Sequence, residues 1–337
     1  MVAGTSETVS DSPLGTLEPR DGLEREYRTL FLVGCPRSGT TWVQLLLGQS
    51  PRVATAPETQ IFSYYLDQFR RQWGIEHTGP SAKEQGGAGL SRLLSEEDFL
   101  ELCGHTALRV LDRIHQKKRG ADVVLEKSPR HALLVDWILD IFRDAFILHV
   151  VRDPRDAAAS IVEAGRSWGR GWAPRNPIDA GRMWRAHVEG ARQAKKKTSR
   201  YLEVRYEDLR EEPVSGLGKI LDWIGIPASR EFCVKAVESC ALDRMRESRG
   251  TSERPTPGTK SPRGFFGRGQ VGGWEQRIGH SGARSVESVC FDLMVSYDYE
   301  PKLVSSDRRS PRIFLHDGIQ RVRESIDWQL QRLLFRV

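Results

Sequence analysis

The nine residues GCPRSGTTW at 34–42 combine a glycine pair, a basic side chain and hydroxyl groups in a pattern suited to holding an oxyanion. Gly34 and Gly39 have the separation of a G-x-x-x-x-G-K-[ST] phosphate loop and Thr41 closes it, but Thr40 stands at the lysine position. Such a loop directs backbone N–H groups and the positive end of a helix at one anion. Without the lysine it is not built to reach a γ-phosphate. Arg37 supplies a fixed positive charge from inside the loop, and Pro36, Ser38, Gly39, Thr40, Thr41 and Trp42 complete the candidate binding stretch. A second candidate is HVVRDPRDAAAS at 149–160. There Arg152 follows an apolar run, and Ser160, two helical turns on, can join it on a second phosphate if that helix packs beside the first loop. Taken alone, an Arg-Asp-Pro step serves equally well as a structural salt bridge.

The segments around these residues must be a strand, a turn and a helix. TLFLVG reads as the strand before the loop and TTWVQLLLGQS as the helix after it. Further apolar runs at 123–126, 146–151 and 201–204 join the run at 30–34 as predicted strands, with helices predicted at 41–49, 131–142, 154–163, 179–197 and 214–224. This alternation predicts an α/β, P-loop-containing nucleotide-binding fold, a central parallel sheet flanked by helices with ligands at the carboxyl ends of the strands. Residues 1–26 read as a mobile tail without the apolar run of a signal peptide or membrane anchor, and 27–300 as the main domain. The remainder, 301–337, is a linker and an appended amphipathic helix, with Ile319, Val322, Ile326, Leu330 and Leu333 on one stripe. That stripe can pack back on the domain, form a homodimer contact or lie on a membrane surface. The stretches 79–89 and 247–266, rich in Gly, Ser, Pro and charge, are loops, and the second is long enough to act as a lid.

Composition narrows the choice of partner. The 337 residues carry a net charge of +6, which favours anionic ligands, but basic and aromatic residues do not cluster as nucleic-acid binding requires. Five scattered cysteines show neither zinc-site pairs nor a disulfide framework, so no metal is expected and the thiols read as reduced and cytoplasmic.

Together the segments resemble the sulfotransferases that use 3′-phosphoadenosine 5′-phosphosulfate (PAPS). GCPRSGTTW is similar to their 5′-phosphosulfate loop, and HVVRDPRDAAAS to their 3′-phosphate element, with Arg152 and Ser160 at the matching positions. Tyr206 of VRYEDL falls where the family has a nucleotide-contacting tyrosine, and GRGQVGGW at 267–274 resembles its late phosphate loop, with Arg268 and Gly269 as the contacts. Cytosolic members often have Arg-Lys-Gly there; Gly267, Arg268 and Gly269 leave one basic side chain where two are common. The resemblance spans 28–299 and implies PAPS as co-substrate, PAP as product and no magnesium. It also accounts for Thr40, because PAPS has no γ-phosphate. Trp42 resembles the residue that stacks on adenine, with core packing as the equal alternative.

The resemblance also bears on the proton acceptor. Cytosolic members place a catalytic histidine after Lys-Thr, whereas EKSPRH keeps Lys127 and Ser128 but puts Pro129 at the histidine position. Glu58 of ATAPETQIF, followed by Thr59, has the spacing from Arg37 found in tyrosylprotein and some carbohydrate sulfotransferases, and is the first candidate base; His131 is the alternative. A carboxylate in a partly apolar pocket can have its pKa raised enough to accept the acceptor's proton. The competing role for Glu58 is to stabilise the start of a helix over 59–69. Lys127 and Arg37 would stabilise charge on the departing PAP. Trp73, Trp168, Trp172 and Trp184 are candidates to line an acceptor pocket. A P-loop nucleotide-dependent kinase would need lysine at Thr40, and protein-tyrosine sulfation would suit a membrane-anchored enzyme. The expected acceptor is therefore a hydroxylated small molecule or carbohydrate.

Overall fold

Leu30, Phe31, Leu32 and Val33 are completely buried, so the strand they form is covered on both faces, as a continuous apolar run requires. The computed structural model describes residues 23–78, 89–241 and 269–304. Within them, β1 (Arg28–Gly34), β2 (Val53–Thr55), β3 (Val123–Lys127), β4 (Phe146–Val151) and β5 (Tyr201–Arg205) form a five-stranded parallel sheet in the order β2-β3-β1-β4-β5. β1 is central, its Leu32 in register with Lys127 of β3 and Leu148 of β4. The carboxyl ends of these three strands meet at one edge.

Ten α-helices accompany the sheet among the described residues: α1 (Thr40–Gly48), α2 (Asp67–Thr78), α3 (Glu96–His115), α4 (Val135–Ile141), α5 (Pro154–Arg166), α6 (Pro177–Arg192), α7 (Tyr206–Glu211), α8 (Pro213–Trp223), α9 (Arg230–Ser239) and α10 (Trp274–Ser296). Strand residues alternate between two cores. Phe31, Val33, Val124 and Ile147 pack with α3 and α4, while Leu30, Leu32, Val123, Leu125, Leu148 and Val150 pack with α1, α8 and α9. A third core joins α5, α6 and α10 around Trp184, Ile161 and Met294.

The predicted strand at 146–151 matches β4, and the other three predicted strands lie within β1, β3 and β5. The helix predicted over 131–142 divides instead into a 3-10 turn, Pro129–Leu134, followed by α4. β2, α3, α7, α9 and α10 were not anticipated. The start of α3 carried a readable signal, because Ser95 and Asp98 form a reciprocal capping box. α10 is harder to read, since Gly279, at φ 63°, breaks its regularity. The tail expected to reach residue 26 gives way earlier: Leu23 is fully buried and Arg25 donates to both carboxylate oxygens of Asp144 at 2.8 Å. Apart from Gly89, the loops expected at 79–89 and 247–266 lie outside the described residues. So does the C-terminal amphipathic helix with its homodimer reading. No helix among the described residues is long and apolar enough to cross a membrane.

One buried group makes stability depend on acidity. His187 donates Nδ1–H to the Met183 carbonyl at 2.7 Å, and burial, aided by Arg130 and His149, pushes its pKa down to about 4. An unfolded chain protonates the same ring near the ordinary histidine value, about 6.5. The stability held by the neutral ring is therefore complete above that value and lost as pH falls through it toward 4. His187→Gln removes this proton uptake, so the difference in unfolding free energy between variant and wild type should shift in the variant's favour between pH 7 and pH 4, by up to about 3 kcal/mol. Urea unfolding at both pH values measures it, and a pH-independent difference contradicts it.

Candidate active site

β1 ends at Gly34, where a side chain is excluded because a Cβ would lie 2.5 Å from the Val150 carbonyl oxygen. The chain then turns tightly, with the Ser38 N–H donating to the Cys35 carbonyl at 3.1 Å. Arg37 adopts φ 74°, a left-handed conformation that costs a side-chain-bearing residue energy and recurs at functional sites. Gly39, at φ 97°, hands the chain to α1, and a Cβ there would lie 2.4 Å from the Tyr206 ring. The loop is thus wedged between β4 and Tyr206.

The motifs that lie far apart in sequence converge on this loop. Arg37 Nε donates to Ser160 Oγ at 3.0 Å, and its guanidinium lies 5.5 Å from the centre of the Trp168 ring. Arg152 donates to the Arg37 carbonyl at 3.1 Å and to the Gln270 carbonyl at 2.8 Å, and rests over Tyr206 at 4.6 Å. Tyr206 donates its hydroxyl to the Gly269 carbonyl at 3.2 Å, and Asp156 accepts the Gly272 N–H at 2.7 Å. The late glycine loop is therefore tied at its described residues to Arg152 and Asp156 of the second element and to Tyr206; Arg268 lies outside them. Burial, then the neighbouring Arg152 and Arg277, pushes the Arg37 pKa down to about 10 against the pull of Glu163 and Glu58. Ser38 Oγ and Arg152 Nε are buried without a hydrogen-bond partner in the protein. Donors left unpaired beside crowded guanidinium groups fit an oxyanion, which would supply both the missing acceptors and the missing negative charge.

Beside the loop, Lys127 at the end of β3 donates to Thr41 Oγ1 at 3.2 Å and to Glu58 Oε1 at 2.5 Å. The ammonium side chain is 3% exposed and the carboxylate 35%, so Glu58 is the solvent-facing end of the pair. Its second oxygen accepts from Gln60 Nε2 at 2.7 Å. The partly apolar pocket expected around Glu58 is replaced by these polar partners. Nor does Glu58 begin a helix over 59–69: Gln60 is left-handed at φ 53°, a π-helical turn follows at Ile61–Leu66, and α2 begins at Asp67.

His131 is fully buried, and its Nε2 accepts the Phe62 N–H at 3.3 Å. Its Nδ1 lies 2.9 Å from Glu126 Oε2, off-line for a hydrogen bond but close enough for electrostatic pairing. His131 is thus turned into the interior, its Nε2 engaged by the Phe62 N–H and its Nδ1 beside the Glu126 carboxylate. Glu126, which sequence reasoning gave no role in the site, accepts at Oε1 from Thr59 Oγ1 at 2.8 Å, the Thr59 N–H at 3.2 Å and Ser128 Oγ at 2.7 Å. Burial opposes its charge, but His131 and the hydroxyls of Ser128 and Thr59 outweigh burial and hold its pKa at about 2. The available signal was a carboxylate inside the buried run VVLEK, a costly placement without dedicated partners.

The tryptophans divide by role. Trp42 is buried edge-to-face against Tyr206, with ring centres 5.8 Å apart, and the Arg210 guanidinium lies over it at 5.1 Å, so it packs beneath the loop. Trp184 is core and donates its indole N–H to the Arg152 carbonyl at 2.8 Å, while Trp73 stacks on Phe99 at 4.3 Å. Trp168 touches Arg37, and Trp172 lies 5.8 Å from Trp168. Among the described residues no group of three or more His, Cys, Asp or Glu could hold a metal ion.

Comparison with known proteins bears on the family and the fold. The family model described as "Sulfotransferase family" matches residues 29–230. A protein-tyrosine sulfotransferase of Drosophila melanogaster is 25% identical over 205 residues, covering 60% of this chain and 39% of that protein. A flavonol sulfotransferase-like protein of Flaveria bidentis is 21% identical over 276 residues, covering 77% of this chain and 80% of that protein. A mouse sulfotransferase solved in complex with PAP has a similar fold, with a TM-score of 0.50 at 18% identity over 82% of this chain and 87% of that one. Against several other curated relatives the chain spans only 26% to 37% of their length.

The wedge at Gly39 is directly testable. Gly39→Ala must accommodate both a positive φ and a Cβ against the Tyr206 ring, and should lower stability by about 1–3 kcal/mol. Chemical denaturation measures the loss, and an unchanged midpoint would show that the loop is not held against Tyr206.

Proposed function

The chain belongs to the sulfotransferase family, and on that footing we propose that it transfers a sulfuryl group from PAPS to a hydroxyl of a small-molecule or carbohydrate acceptor, giving PAP and a sulfate ester. The observation that carries this reading is the meeting of Arg37, Arg152 and Ser160 at a phosphate loop with Thr40 in the lysine position. A kinase needs a cation there for the γ-phosphate; two phosphate-binding elements without that lysine suit a nucleotide phosphorylated at both 3′ and 5′. The all-buried, free state of the five cysteines suits a reducing compartment and the cytoplasmic setting expected from the sequence.

Bound PAPS would supply the activated sulfuryl group. Arg37, Ser38 and the start of α1 would hold its 5′ end, and Arg152 and Ser160 its 3′-phosphate. Lys127, fixed by Thr41, stands between the loop and Glu58, where a cation can offset charge that builds as the sulfuryl group leaves. Glu58, the exposed member of the pair, would take the proton from the acceptor hydroxyl. Tyr65 and Phe69, 61% and 51% exposed, follow within a dozen residues and offer aromatic surface for a phenol, polycycle or sugar. The likeness to a protein-tyrosine sulfotransferase and the Glu58–Thr59 pair keep a tyrosine side chain as the second acceptor to assay.

Thermal shift with PAP, ATP–magnesium and a DNA oligomer tests the class. PAP in the presence of EDTA should raise the melting temperature most, because a ligand that binds only the folded state stabilises it. A larger, magnesium-dependent shift with ATP would overturn the assignment. Glu58→Gln should lower turnover by about two to four orders of magnitude while PAP affinity stays within a few-fold, the signature of a lost general base. An active Glu58→Gln enzyme would remove Glu58 from that role.

A further inference from the structure

We propose that Glu126 is a positioning residue that fixes the turn bearing Glu58, through a clasp in which β3 grips residues 58–62 from both faces of the sheet. The inference rests on the functional reading above. Side chains of consecutive strand residues point to opposite faces, so Glu126 and Lys127 reach past opposite sides of the sheet. The turn mirrors them. Glu58 bonds to Lys127 on one side, while Thr59 gives both its N–H and its hydroxyl to Glu126 on the other. Ser128 extends the grip by accepting the Gln60 N–H at 3.1 Å, and His131 accepts the Phe62 N–H. Three backbone amides of a five-residue stretch are thus held by side chains from the end of β3 and the turn after it.

Stability alone does not account for Glu126. An ionised carboxylate buried in the sheet opposite Phe31 is expensive, and such groups can often be replaced by apolar residues at no loss. What the carboxylate provides is direction. It accepts two donors from the residue next to Glu58, which fixes which way residue 58 points, while the left-handed Gln60 ends the turn at once. The base candidate on an exposed edge would otherwise be free to follow solvent, and catalytic groups need sub-ångström placement. His131 takes part here as the neighbour that lies between Glu126 and Phe62.

Thr59 allows the clasp to be tested without touching the buried charge. Thr59→Val keeps the branched shape and removes the hydroxyl, whereas Thr59→Ser keeps the hydroxyl and removes the methyl. Thr59→Val and Ser128→Ala should each raise amide exchange across 59–62 and lower kcat for transfer from PAPS to 4-nitrophenol, both by about tenfold, with KM for PAPS within twofold. Thr59→Ser should stay close to wild type in both. Glu126→Gln should show the largest effect of the set, and if it fails to fold the Thr59 pair still decides. Equal loss in Thr59→Ser and Thr59→Val would mean packing, and unchanged exchange at 59–62 in Thr59→Val would mean no clasp; either overturns the proposal. If wild-type protein neither binds PAP nor transfers from PAPS, the functional reading fails instead, and amide exchange alone still decides whether β3 holds the turn.

Discussion

Arg37 and Arg152 repel one another, and the fold nonetheless brings them together. Arg152 is buried, its guanidinium committed to two backbone carbonyls, and burial, then Arg152 and Arg277, pushes the Arg37 pKa down. Much of the surrounding structure holds this pair in place. Ser160 orients Arg37, the Tyr206 ring supports Arg152, and Trp184 anchors the strand end from which Arg152 projects. Asp156 lies 3.8 Å from Arg152 but also serves a loop amide, so it offsets the excess positive charge only in part. An arrangement strained by like charge is primed for an anion, because binding supplies the charge that the protein withholds.

The second organising feature is the pleat of β3. Two adjacent charged residues in an otherwise apolar strand serve two different cores, Lys127 beside the phosphate loop and Glu126 beside the aromatic layer of Phe31 and Phe62. The turn at 58–60 bridges them across the end of the strand. A cation beside the phosphate loop and the support of the base candidate are therefore neighbours in sequence, and a shift of β3 by one residue would exchange their faces.

Local features were the legible ones. The strand, loop and helix around Gly34 and Gly39 are contiguous, and the types of Arg37, Arg152 and Ser160 already imply an anion. That the two phosphate elements share a corner followed from resemblance and awaited the sheet order that sets β4 beside β1. The surroundings of His131 could not be read, because its neighbours, Phe62 at Nε2 and Glu126 beside Nδ1, are set by tertiary packing. The same holds for Trp42, whose neighbours Tyr206 and Arg210 lie more than 160 residues away in sequence. The π-helical turn after Gln60 escaped for a different reason: its apolar spacing resembles that of an α-helix, and only the hydrogen bonds distinguish them.

The central place of β1 also has a kinetic meaning. Its five-residue loop, 35–39, is local, but the walls that shape it arrive with β3, β4, Tyr206 and the 269–272 segment, each after a long excursion of the chain. Closing such loops is slow and entropically costly, so the corner is assembled only once the sheet is in register. Contacts absent when the rate-limiting barrier is crossed leave the folding rate alone and slow unfolding instead. An anion seated there would act as a late rivet, lengthening the life of the folded molecule without hastening its birth.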